Sequence, residues 1–540
     1  MRVGIGQINA HVGAIQKNAG TMAAQIAEAR VAGCDVIVFP ELAIPGYSPL
    51  DLVWRPGFVE ACEAAVAGLA DSTRGITAVV GSIAAQRAFG AINRADPSST
   101  SDGAGIDLFN VAHILADGRE VGRVAKSHLP SYDVYDERRY FTPSPGIDTH
   151  VIGGVRVGIN ICEDIWVDDG PTDVQASLGA SWILNLSASP FYVGKPDIRR
   201  RLVRRRATEN GVGLVYVNLV GAQDDIIFDG GSFVVDARGR VLLQADRFRE
   251  GLFVADLDAA PIRTTTEDPV ADLRAALELG LRDYVRKNGF ARVLLGLSGG
   301  IDSAVVAALA AEALGPQNVT SVYLPSEFSS PASGEDAASV ASNLGIRHLE
   351  ISIEAVHERF RSLLPKTAAG LVDENLQPRI RGTLLMALGN QEDSLVLCPA
   401  NKSEIAMGYN TLYGDTVGAL APIADLYKDD VIRLGRTFGD VIPERIFRRP
   451  PSAELRPDQK DEDDLPAYAE MDPMLRDLVE SNASRAQLLQ RGFDPALVDE
   501  VLRRYVPSEY KRFQLPPGLK VTPKAFGTGR RIPITNAYRD

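Results

Sequence analysis

The chain has 540 residues, more than one hydrophobic core usually holds, so we expect two or three domains. Its formal net charge of −13 argues against nucleic acid or an anionic membrane as a partner. The four cysteines form no CxxC pair and no apolar run approaches the ~20 residues that span a bilayer, so we expect a cytoplasmic protein without a disulfide framework.

The first half of the chain carries short strand patterns separated by helical or turn segments. Its first residues alternate like a strand, unlike the apolar core of a signal peptide, and residues 21–32 have the apolar spacing of a helix. This succession predicts a layered α/β domain. The predicted strands are 2–8, 36–39, 76–83, 109–115, 155–161, 182–186, 214–219, 231–235 and 252–257.

A second α/β unit follows residues 259–268, whose Pro, small and polar residues predict a linker between domains 1–258 and 269–540. It begins with a predicted helix, strand, helix and strand at 270–288, 292–297, 303–314 and 319–324. The last three form a βαβ unit, which implies a parallel sheet with ligands outside the carboxyl ends of its strands. Prolines and an acidic run predict a mobile loop at 443–464.

The most specific chemical signal joins the first strand of this unit to the helix after it. Gly299 and Gly300 permit a tight turn that directs consecutive N–H groups at one point, beside the positive end of the helix dipole. Asp302 would repel a bare phosphate, so we expect it to hold Mg2+ against a pyrophosphate. The string contains neither a Walker A motif nor GxGxxG. The predicted ATP-binding loop consists of Ser298, Gly299, Gly300, Ile301, Asp302 and Ser303.

This SGGIDS string resembles that of the ATP pyrophosphatases, which release pyrophosphate while they adenylate a carboxylate or a carbonyl-type group. The resemblance implies a doubly wound, Rossmann-like parallel sheet and ATP as co-substrate. The string alone leaves the acceptor open among the chemistries of GMP, asparagine and NAD synthetases and of tRNA thiolases.

Three residues of the first half that can carry chemistry each follow a strand pattern: Glu41 in FPEL, Lys126 in KSHL and Cys162 in NICED. A thiol nucleophile needs a base for its proton and a cation for its thiolate and for the oxyanion. In this order the motifs resemble those of the nitrilase or carbon–nitrogen hydrolase superfamily. The resemblance implies an αββα sandwich, a Glu41–Lys126–Cys162 triad with a thioester intermediate, and Glu137 as an assisting glutamate.

Relatives that use glutamine imply a glutamine pocket near Tyr132, Glu163, Trp166 and Ser189. Fused to an adenylating domain, a glutaminase would supply ammonia to a synthetase, and we expect a buried ammonia tunnel between the two. Asparagine synthetase would require a cysteine at position 2, where this chain has Arg2. GMP synthetase would require a cysteine in a Cys–His–Glu setting, which none of the four has.

Further motifs of the second half, NLQPRIR, NKSE, GYNTLYGD, DLYK and PSAEL, are similar to those of NAD synthetases. Over nearly its whole length the chain therefore resembles the glutamine-dependent NAD+ synthetase family. The resemblance implies that Glu404 joins Asp302 in holding Mg2+ and that Arg379 contacts the phosphates of ATP. It also implies a homo-oligomer with a dimeric synthetase core. The residues expected near deamido-NAD+ are Asn375, Lys428, Asp461 and Lys511.

One departure from the family is visible. Relatives often carry Gly-Thr before the NKSE motif, where this chain has Cys398, Pro399 and Ala400. The hydroxyl contact to ATP that is expected there is missing, and Cys398 is expected to be an inert thiol.

Two other functions stay open from the sequence. One is glutamine-dependent amidation of another nucleotide-linked carboxylate, and the other is a C–N hydrolase whose second domain binds ATP only for regulation. The arginine-rich stretch 199–206 could indicate a nucleic-acid surface, but in a chain this acidic a solvated or interface helix is favoured.

Overall fold

Each half of the chain builds its own layered core. The protein is described by a computed structural model that covers residues 1–87, 106–264, 268–366 and 369–538. By its internal contacts the chain separates into two units, Met1–Glu267 and Asp268–Asp540. Part of the predicted linker, residues 265–267, lies outside the described residues.

The first unit contains two six-stranded sheets, ordered β14-β1-β2-β3-β4-β5 and β13-β12-β9-β8-β7-β6, and a small β10-β11 hairpin. Three consecutive strands of each large sheet run parallel, β1 to β3 in one and β7 to β9 in the other. The strands are β1 (Arg2–Gln7), β2 (Val36–Val38), β3 (Thr77–Arg87), β4 (Ile106–Ala116), β5 (Arg119–Ala125), β6 (Thr149–Ile152), β7 (Val155–Ile161), β8 (Trp182–Ser187), β9 (Gly213–Asn218), β10 (Val220–Gln223), β11 (Ile226–Asp229), β12 (Phe233–Val235), β13 (Val241–Gln244) and β14 (Gly251–Asp256).

Alternation along these strands sorts the side chains into layers. Val3 and Ile5 of β1 pack with Ile159 and Ile161 of β7 in the core between the two sheets. The opposite faces are covered by helices, the first sheet by α1 (Ile15–Val31) and α2 (Pro56–Ala70), the second by α3 (Pro171–Ser177) and α4 (Lys195–Asn210). This arrangement is an αββα sandwich, so the fold expected for the first half is confirmed.

The second unit is built on a four-stranded parallel sheet of order β17-β16-β15-β18. Its strands are β15 (Arg292–Gly296), β16 (Val319–Tyr323), β17 (Arg347–Glu350) and β18 (Ser394–Leu397). From β15 the chain first builds outward through β16 to β17 and then returns to place β18 on the other side of β15. The order therefore reverses between β15 and β18, where a doubly wound sheet opens a crevice for ligands. The doubly wound parallel sheet expected for the second half is confirmed.

Helices surround this sheet and extend the unit beyond it. Helix α6, the Ala-rich segment after the nucleotide loop, is buried along nearly its whole length. The described helices are α5 (Pro269–Lys287), α6 (Ile301–Leu314), α7 (Pro331–Leu344), α8 (Glu354–Leu363), α9 (Leu371–Glu392), α10 (Lys402–Met407), α11 (Lys428–Arg436), α12 (Glu444–Arg448), α13 (Tyr468–Glu480), α14 (Arg485–Gln490), α15 (Pro495–Tyr505) and α16 (Glu509–Arg512). Within the described ranges, no helix is both long and apolar enough to span a membrane.

Five strands of the first unit, β5, β6, β10, β11 and β13, lie outside the predicted strands, and for two of them the physical reason is plain. Strands β5 and β6 lie at the edges of their sheets and are largely exposed or half-buried. An edge strand needs no continuous apolar face, and β5 accordingly reads REVGRVA.

Candidate active sites

Cys162 is the first residue after strand β7 and begins a 3-10 turn, Cys162–Ile165. Its φ is +45°, in the left-handed region that a side chain other than glycine seldom adopts. The side chain is buried, with 3% of the residue exposed. The backbone thus turns sharply where the sheet ends and directs the thiol away from the regular strand geometry.

Two carboxylates of the first unit share one buried ammonium group. Lys126 Nζ lies 2.6 Å from Glu41 Oε1 and 2.8 Å from Glu137 Oε1, and all three side chains are almost completely buried. Tyr47 donates a further hydrogen bond to Glu137 at 3.0 Å, and Asn110 Nδ2 donates to Glu41 Oε1 at 2.7 Å. A fixed cation between two carboxylates is an arrangement suited to proton transfer and to charge stabilisation.

The electrostatic environment keeps the resting thiol protonated. Burial and the charge of Glu41 raise the pKa of Cys162 well above its usual value, although Lys126 acts in the opposite sense. Burial would lower the pKa of Lys126, but the charges of Glu137 and Glu41 outweigh it and raise that pKa, so the ammonium group stays charged. Burial also raises the pKa of Glu137 to about 7. A protonated thiol needs a base before it can attack, and Glu41 is a carboxylate of this cluster.

The turn that carries Glu41 is packed tightly on strand β3. A Cβ atom built on Gly81 would lie 2.2 Å from Pro40 O and 2.6 Å from Leu42 N, so only glycine fits there. On the other side Ala188 N donates to Glu41 Oε2 at 3.0 Å, from the segment that follows strand β8. Backbone contacts from two sheets therefore fix the carboxylate.

Of the four residues expected in the glutamine pocket, Tyr132, Glu163 and Trp166 are linked through the Cys162 turn, and Ser189 lies after strand β8. Tyr132 donates its hydroxyl hydrogen to both carboxylate oxygens of Glu163, at 2.9 and 2.8 Å. The charge of Glu163 also contributes to the raised pKa of Cys162. Trp166 directly follows the 3-10 turn Cys162–Ile165, and the ammonium group of Lys195 lies 4.0 Å from the centre of its ring. Ser189 is buried after strand β8 and is held through its backbone by Asn218.

Asp164 is a site residue to which the sequence motif assigned no role. Its carboxylate accepts hydrogen bonds from Ile161 N at 3.0 Å, from Ser127 N at 3.1 Å and from His128 N at 2.8 Å. These bonds tie the Cys162 turn to the segment directly after Lys126. The signal available in the sequence was its place in the NICED motif, two residues after Cys162.

The nucleotide loop has the geometry that its glycines predict. Gly299 has φ +82°, and a Cβ atom there would lie 2.3 Å from Ser333 O, at the start of helix α7. The hydroxyls of Ser298 and Ser303 are 3.1 Å apart, and Gly300 N donates to Ser298 Oγ at 3.2 Å. The loop therefore presents backbone N–H groups and hydroxyls at the start of a 14-residue helix, where anions bind favourably.

Across the reversal of strand order, Asp302 meets residues that follow strand β18. Asn401 Nδ2 donates to Asp302 Oδ1 at 3.0 Å. Lys428 Nζ lies 2.6 Å from Asp302 Oδ2 and 3.4 Å from Glu404 Oε1. Tyr468 links Asp461 to this group, because its hydroxyl donates to Asp461 Oδ2 at 2.9 Å and the centre of its ring lies 5.2 Å from Lys428 Nζ. The structure thus brings together Asp302, Glu404, Lys428 and Asp461, which are scattered over 160 residues of sequence.

The carboxyl groups of Asp302, Glu404 and Asp461 outnumber the one ammonium group, that of Lys428, which they share. Burial raises the pKa of Glu404 to about 8, and the neighbouring charges of Asp302 and Asp461 add to the effect against the opposing influence of Lys428. Burial likewise raises the pKa of Asp461, against the influence of Lys428 and of a hydrogen bond from Tyr468. Such a cluster attracts a cation.

The other expected substrate residues surround the segment 408–416. Asn375 Oδ1 accepts a hydrogen bond from Thr411 at 2.6 Å, and Arg379 Nε donates to Leu412 O at 3.2 Å. Lys511 Nζ donates to the carbonyls of Gly408 and Asn410, each at 2.7 Å. The positive charge of Arg379 acts on Lys511, whose pKa burial lowers. Asn375, Arg379 and Lys511 thus converge on one segment, although they come from two distant helices.

Cys398, the departure from the family pattern, lies directly after strand β18. Its thiol is completely buried and lies 3.2 Å from Asp415 O, to which it donates. Burial raises its pKa to about 12, so the thiol is neither nucleophilic nor exposed to a ligand.

The residues present fit a magnesium ion that is shared with phosphate groups. Mg2+ in nucleotide sites is usually held by one or two carboxylates together with phosphate oxygens and water. Asp302 and Glu404 supply two such carboxylates beside the predicted ATP-binding loop, and both face the ammonium group of Lys428. Over the part of the chain that the structure describes, no group of three or more acidic, His or Cys side chains could hold a metal by itself. The protein alone offers only part of a coordination sphere.

Comparison with known proteins assigns each of the two units to a protein family. A carbon–nitrogen hydrolase family model matches residues 2–267, and an NAD synthase family model matches residues 273–516. The chain is 39% identical to the glutamine-dependent NAD(+) synthetase of Thermotoga maritima and 42% identical to that of Xylella fastidiosa. Both alignments cover 100% of this chain and 99% of the relative. The chain belongs to the glutamine-dependent NAD(+) synthetase family.

Solved structures of this family agree with the assignment. The enzyme from Acinetobacter baumannii, solved with adenosine diphosphate, is 35% identical and has a TM-score of 0.77. The alignment covers 99% of this chain and 98% of that enzyme. The enzyme from Cytophaga hutchinsonii shares the fold, with a TM-score of 0.82 at 23% identity. Members of the family are ligases, so the family and the enzyme class expected from the sequence are confirmed.

Proposed function

We propose that the chain makes NAD+ by amidating deamido-NAD+ with ammonia taken from glutamine, while ATP is cleaved to AMP and pyrophosphate. The observation that carries this proposal is the presence of two complementary sites in one chain of a glutamine-dependent family. One contains a buried thiol with a Glu–Lys–Glu cluster, and the other a phosphate loop with a carboxylate–lysine cluster. The first can release ammonia, and the second can activate a carboxylate to receive it.

In the first unit, Glu41 takes the proton of the Cys162 thiol, and the thiolate attacks the side-chain amide carbon of glutamine. The charge of Lys126 stabilises the thiolate and the oxyanion that develops. The C–N bond breaks, the proton returns to the leaving nitrogen, and ammonia departs from a thioester. Water activated by Glu41 then hydrolyses the thioester to glutamate and the free thiol. Glu137 shares the ammonium of Lys126 and thereby holds it beside Glu41.

Four residues near Cys162 would bind the amino-acid end of glutamine. Glu163, whose carboxylate accepts a hydrogen bond from Tyr132, would pair with the ammonium group of the substrate, and Trp166 and Ser189 would form part of the walls of the pocket. Because Glu163 follows Cys162 directly, the same turn would position the nucleophile and select the substrate.

In the second unit, a carboxylate oxygen of deamido-NAD+ attacks the α-phosphorus of ATP and displaces pyrophosphate. The backbone N–H groups of the loop from Ser298 to Ser303 receive the pyrophosphate oxygens, and Lys428 neutralises charge that develops on the phosphates. Ammonia then attacks the acyl carbon of the adenylate, and AMP departs. Arg379 would contact the nucleotide phosphates, and Asn375, Asp461 and Lys511 would bind deamido-NAD+.

Mg2+ would be held by Asp302 and Glu404, and when bound it would neutralise negative charge on the phosphates of ATP. The pKa of Glu404 is raised by burial and by neighbouring carboxylates despite the charge of Lys428, which supports a site that is short of positive charge.

Direct transfer of ammonia through a channel remains our prediction. Near neutral pH most free ammonia is protonated and not nucleophilic, whereas a neutral molecule delivered to a waiting adenylate gains the advantage of proximity, which can reach effective concentrations of ~10⁵ M. A dimeric synthetase core and a cytoplasmic location also stay predictions. Exposed aliphatic and aromatic side chains on α8 and at the start of α9 support an oligomer: Val356, Phe360, Leu363, Leu371 and Val372.

The decisive experiment replaces the nucleophile. We expect Cys162→Ala to abolish NAD+ formation from glutamine and to leave formation from ammonium chloride intact, because only the first site needs the thiol. Products are measured with ATP, Mg2+ and deamido-NAD+ by quantifying NAD+, AMP, pyrophosphate and glutamate. Cys62→Ala, which removes a buried thiol from helix α2, is the matched control and should retain both activities.

Two results would contradict the proposal. Loss of the ammonium-driven reaction in folded Cys162→Ala protein would show that the two sites are not separate. Glutamine hydrolysis by the wild type without AMP and pyrophosphate in step with NAD+ would show that the second unit does not adenylate deamido-NAD+.

A further inference from the structure

Helix α4 contains six arginines between positions 199 and 206, and only two of them face inward. Arg199 and Arg206 lie seven residues apart, which places them on one face of the helix together with Val203. Both are 98% buried. Burial of a guanidinium is costly unless the group is paired and hydrogen-bonded, so the partners of these two residues indicate what the helix does.

Both buried arginines reach segments of the glutaminase site. Arg199 lies 2.5 Å from Asp229, which is in contact with Asn218, and Asn218 holds the backbone of Ser189. Arg206 contacts the Cys162 turn itself: Nε donates to Ile165 O at 3.0 Å and Nη2 donates to Trp166 O at 3.2 Å. A third bond, of 2.6 Å, joins Nη2 to the carboxylate of Asp168.

The 3-10 turn Cys162–Ile165 needs such an external partner. It has only four residues, and the carbonyl oxygens at its C-terminal end accept no hydrogen bond from an N–H group of the turn. Ile165 is completely buried, so water does not serve its carbonyl. The turn must also maintain Cys162 in the left-handed region, at φ +45°. Asp164 fastens the turn on one side, and the guanidinium of Arg206 fastens it on the other.

We propose that Arg206 is a positioning residue of the glutaminase: its guanidinium fork binds the carbonyls of Ile165 and Trp166 and thereby keeps the Cys162 thiol in its reactive geometry. This inference rests on the proposed glutamine hydrolysis. Arg206 touches neither the substrate nor the thiol. Its planar group donates to two carbonyls at once, whereas a lysine donates from a single point.

The test compares Arg206→Lys with Arg205→Gln in the full-length protein. Arg206→Lys retains the positive charge beside Asp168 but loses the fork. Arg205→Gln is the matched control, because Arg205 is half exposed and contacts the same Asp168, at 3.1 Å, without bonding the turn. Glutamate release is measured as a function of glutamine concentration. The rate of Cys162 alkylation by iodoacetamide and ammonium-driven NAD+ formation are measured in parallel.

We expect Arg206→Lys to lower kcat for glutamine hydrolysis by about 10- to 100-fold, because a displacement of ~1 Å at a reacting group can have that effect. Alkylation of Cys162 should slow as well. KM for glutamine should change much less than kcat, and ammonium-driven synthesis should equal that of the wild type. Arg205→Gln should match the wild type in every measurement.

Glutamate release by Arg206→Lys within about twofold of the wild type would overturn the inference. A parallel loss of ammonium-driven synthesis would also overturn it, since the substitution would then act on folding in general. Absence of glutamate release by the wild type would instead contradict the proposed function.

Discussion

Lys126 is the residue on which the proposed chemistry of the first unit depends most closely. Its single positive charge lies between the carboxylates of Glu41 and Glu137, and all three groups are buried. With a neutral thiol, two ionised carboxylates and one ammonium leave an excess negative charge in a site of low dielectric constant. The raised pKa of Glu137, about 7, is the expected response. One carboxylate can therefore gain or lose a proton near neutral pH.

This balance predicts the pH dependence of glutamine hydrolysis. Below a pH of about 7, Glu137 is protonated and holds Lys126 less strongly, so kcat/KM for glutamine should fall as the pH falls. Glu137→Gln mimics the protonated state at every pH. We expect the variant to be less active than the wild type at about pH 8 and to lack the rise between about pH 6 and pH 8. The measurement is kcat/KM for glutamate release over this range.

Tyr47→Phe is the appropriate companion variant. It removes one hydrogen bond, of 3.0 Å, from Glu137 and leaves the carboxylate in place, so the pH-dependent limb should persist. If kcat/KM of Glu137→Gln still rose between about pH 6 and pH 8 as in the wild type, the titrating group would be another residue.

At the scale of secondary-structure elements, the position of Glu41 depends on how closely β2 approaches β3. The two strands are parallel neighbours, and the turn after β2 crosses Gly81 of β3 at a distance that leaves no room for a side chain. Ile44 N also donates to Gly81 O at 3.1 Å. Backbone packing between two elements therefore places Glu41, the proposed general base.

Gly81→Ala should reveal this packing. Its Cβ atom would meet backbone atoms that cannot rotate away, and we expect a loss of about 1–3 kcal/mol in the free energy of unfolding of the first unit together with slower glutamate release. Gly68→Ala is the control. Gly68 lies in helix α2 with open space around its Cβ position, and the substitution should stabilise the helix by up to about 1 kcal/mol. Thermal unfolding and glutamine hydrolysis check both variants. Equal effects of the two substitutions would contradict the packing argument.

At the scale of the whole molecule, the chain carries two chemically complementary units, each with its own core. The first provides the thiol and the buried Glu–Lys cluster, and the second provides the phosphate loop and the acidic cluster. Every step of the proposed reaction before ammonia transfer can take place within one unit. Joining the units in one chain is useful if the ammonia passes between them without dilution and protonation in the solvent.

A mixture of two inactive variants tests this transfer. Cys162→Ala should be unable to release ammonia, and Asp302→Asn should release glutamate but form no NAD+ from either nitrogen source, because the carboxylate proposed to hold Mg2+ is lost. If ammonia is passed directly, the mixture should form NAD+ from glutamine far more slowly than the same amount of wild type. NAD+ formation is followed at low total ammonia. A mixture as fast as the wild type would show that ammonia reaches the second site through the solvent.

Much of the fold was accessible from the sequence because its signals are local. Strands β1, β7 and β8 have continuous or alternating apolar residues, and the SGGIDS string lies between a buried strand and a buried helix. Edge strands such as β5 gave no comparable pattern, since an exposed edge does not need apolar residues. The arginines of α4 were expected in a solvated or interface helix, and the structure corrects this for Arg199 and Arg206. Helical spacing alone does not say which face of an arginine-rich helix is buried.

The sequence by itself determined the chemical repertoire of this protein: a thiol, a base and a cation at strand ends, and a glycine loop before a helix. Short motifs carry this information because the required backbone geometry is formed within a few residues. Tertiary structure alone decided which groups meet. It placed Lys126 between Glu41 and Glu137, joined Asp302 to Lys428 across the reversal of strand order, and brought Asp164 and Arg206 to the Cys162 turn. These contacts link residues far apart in the chain, and their distances depend on how sheets and helices pack.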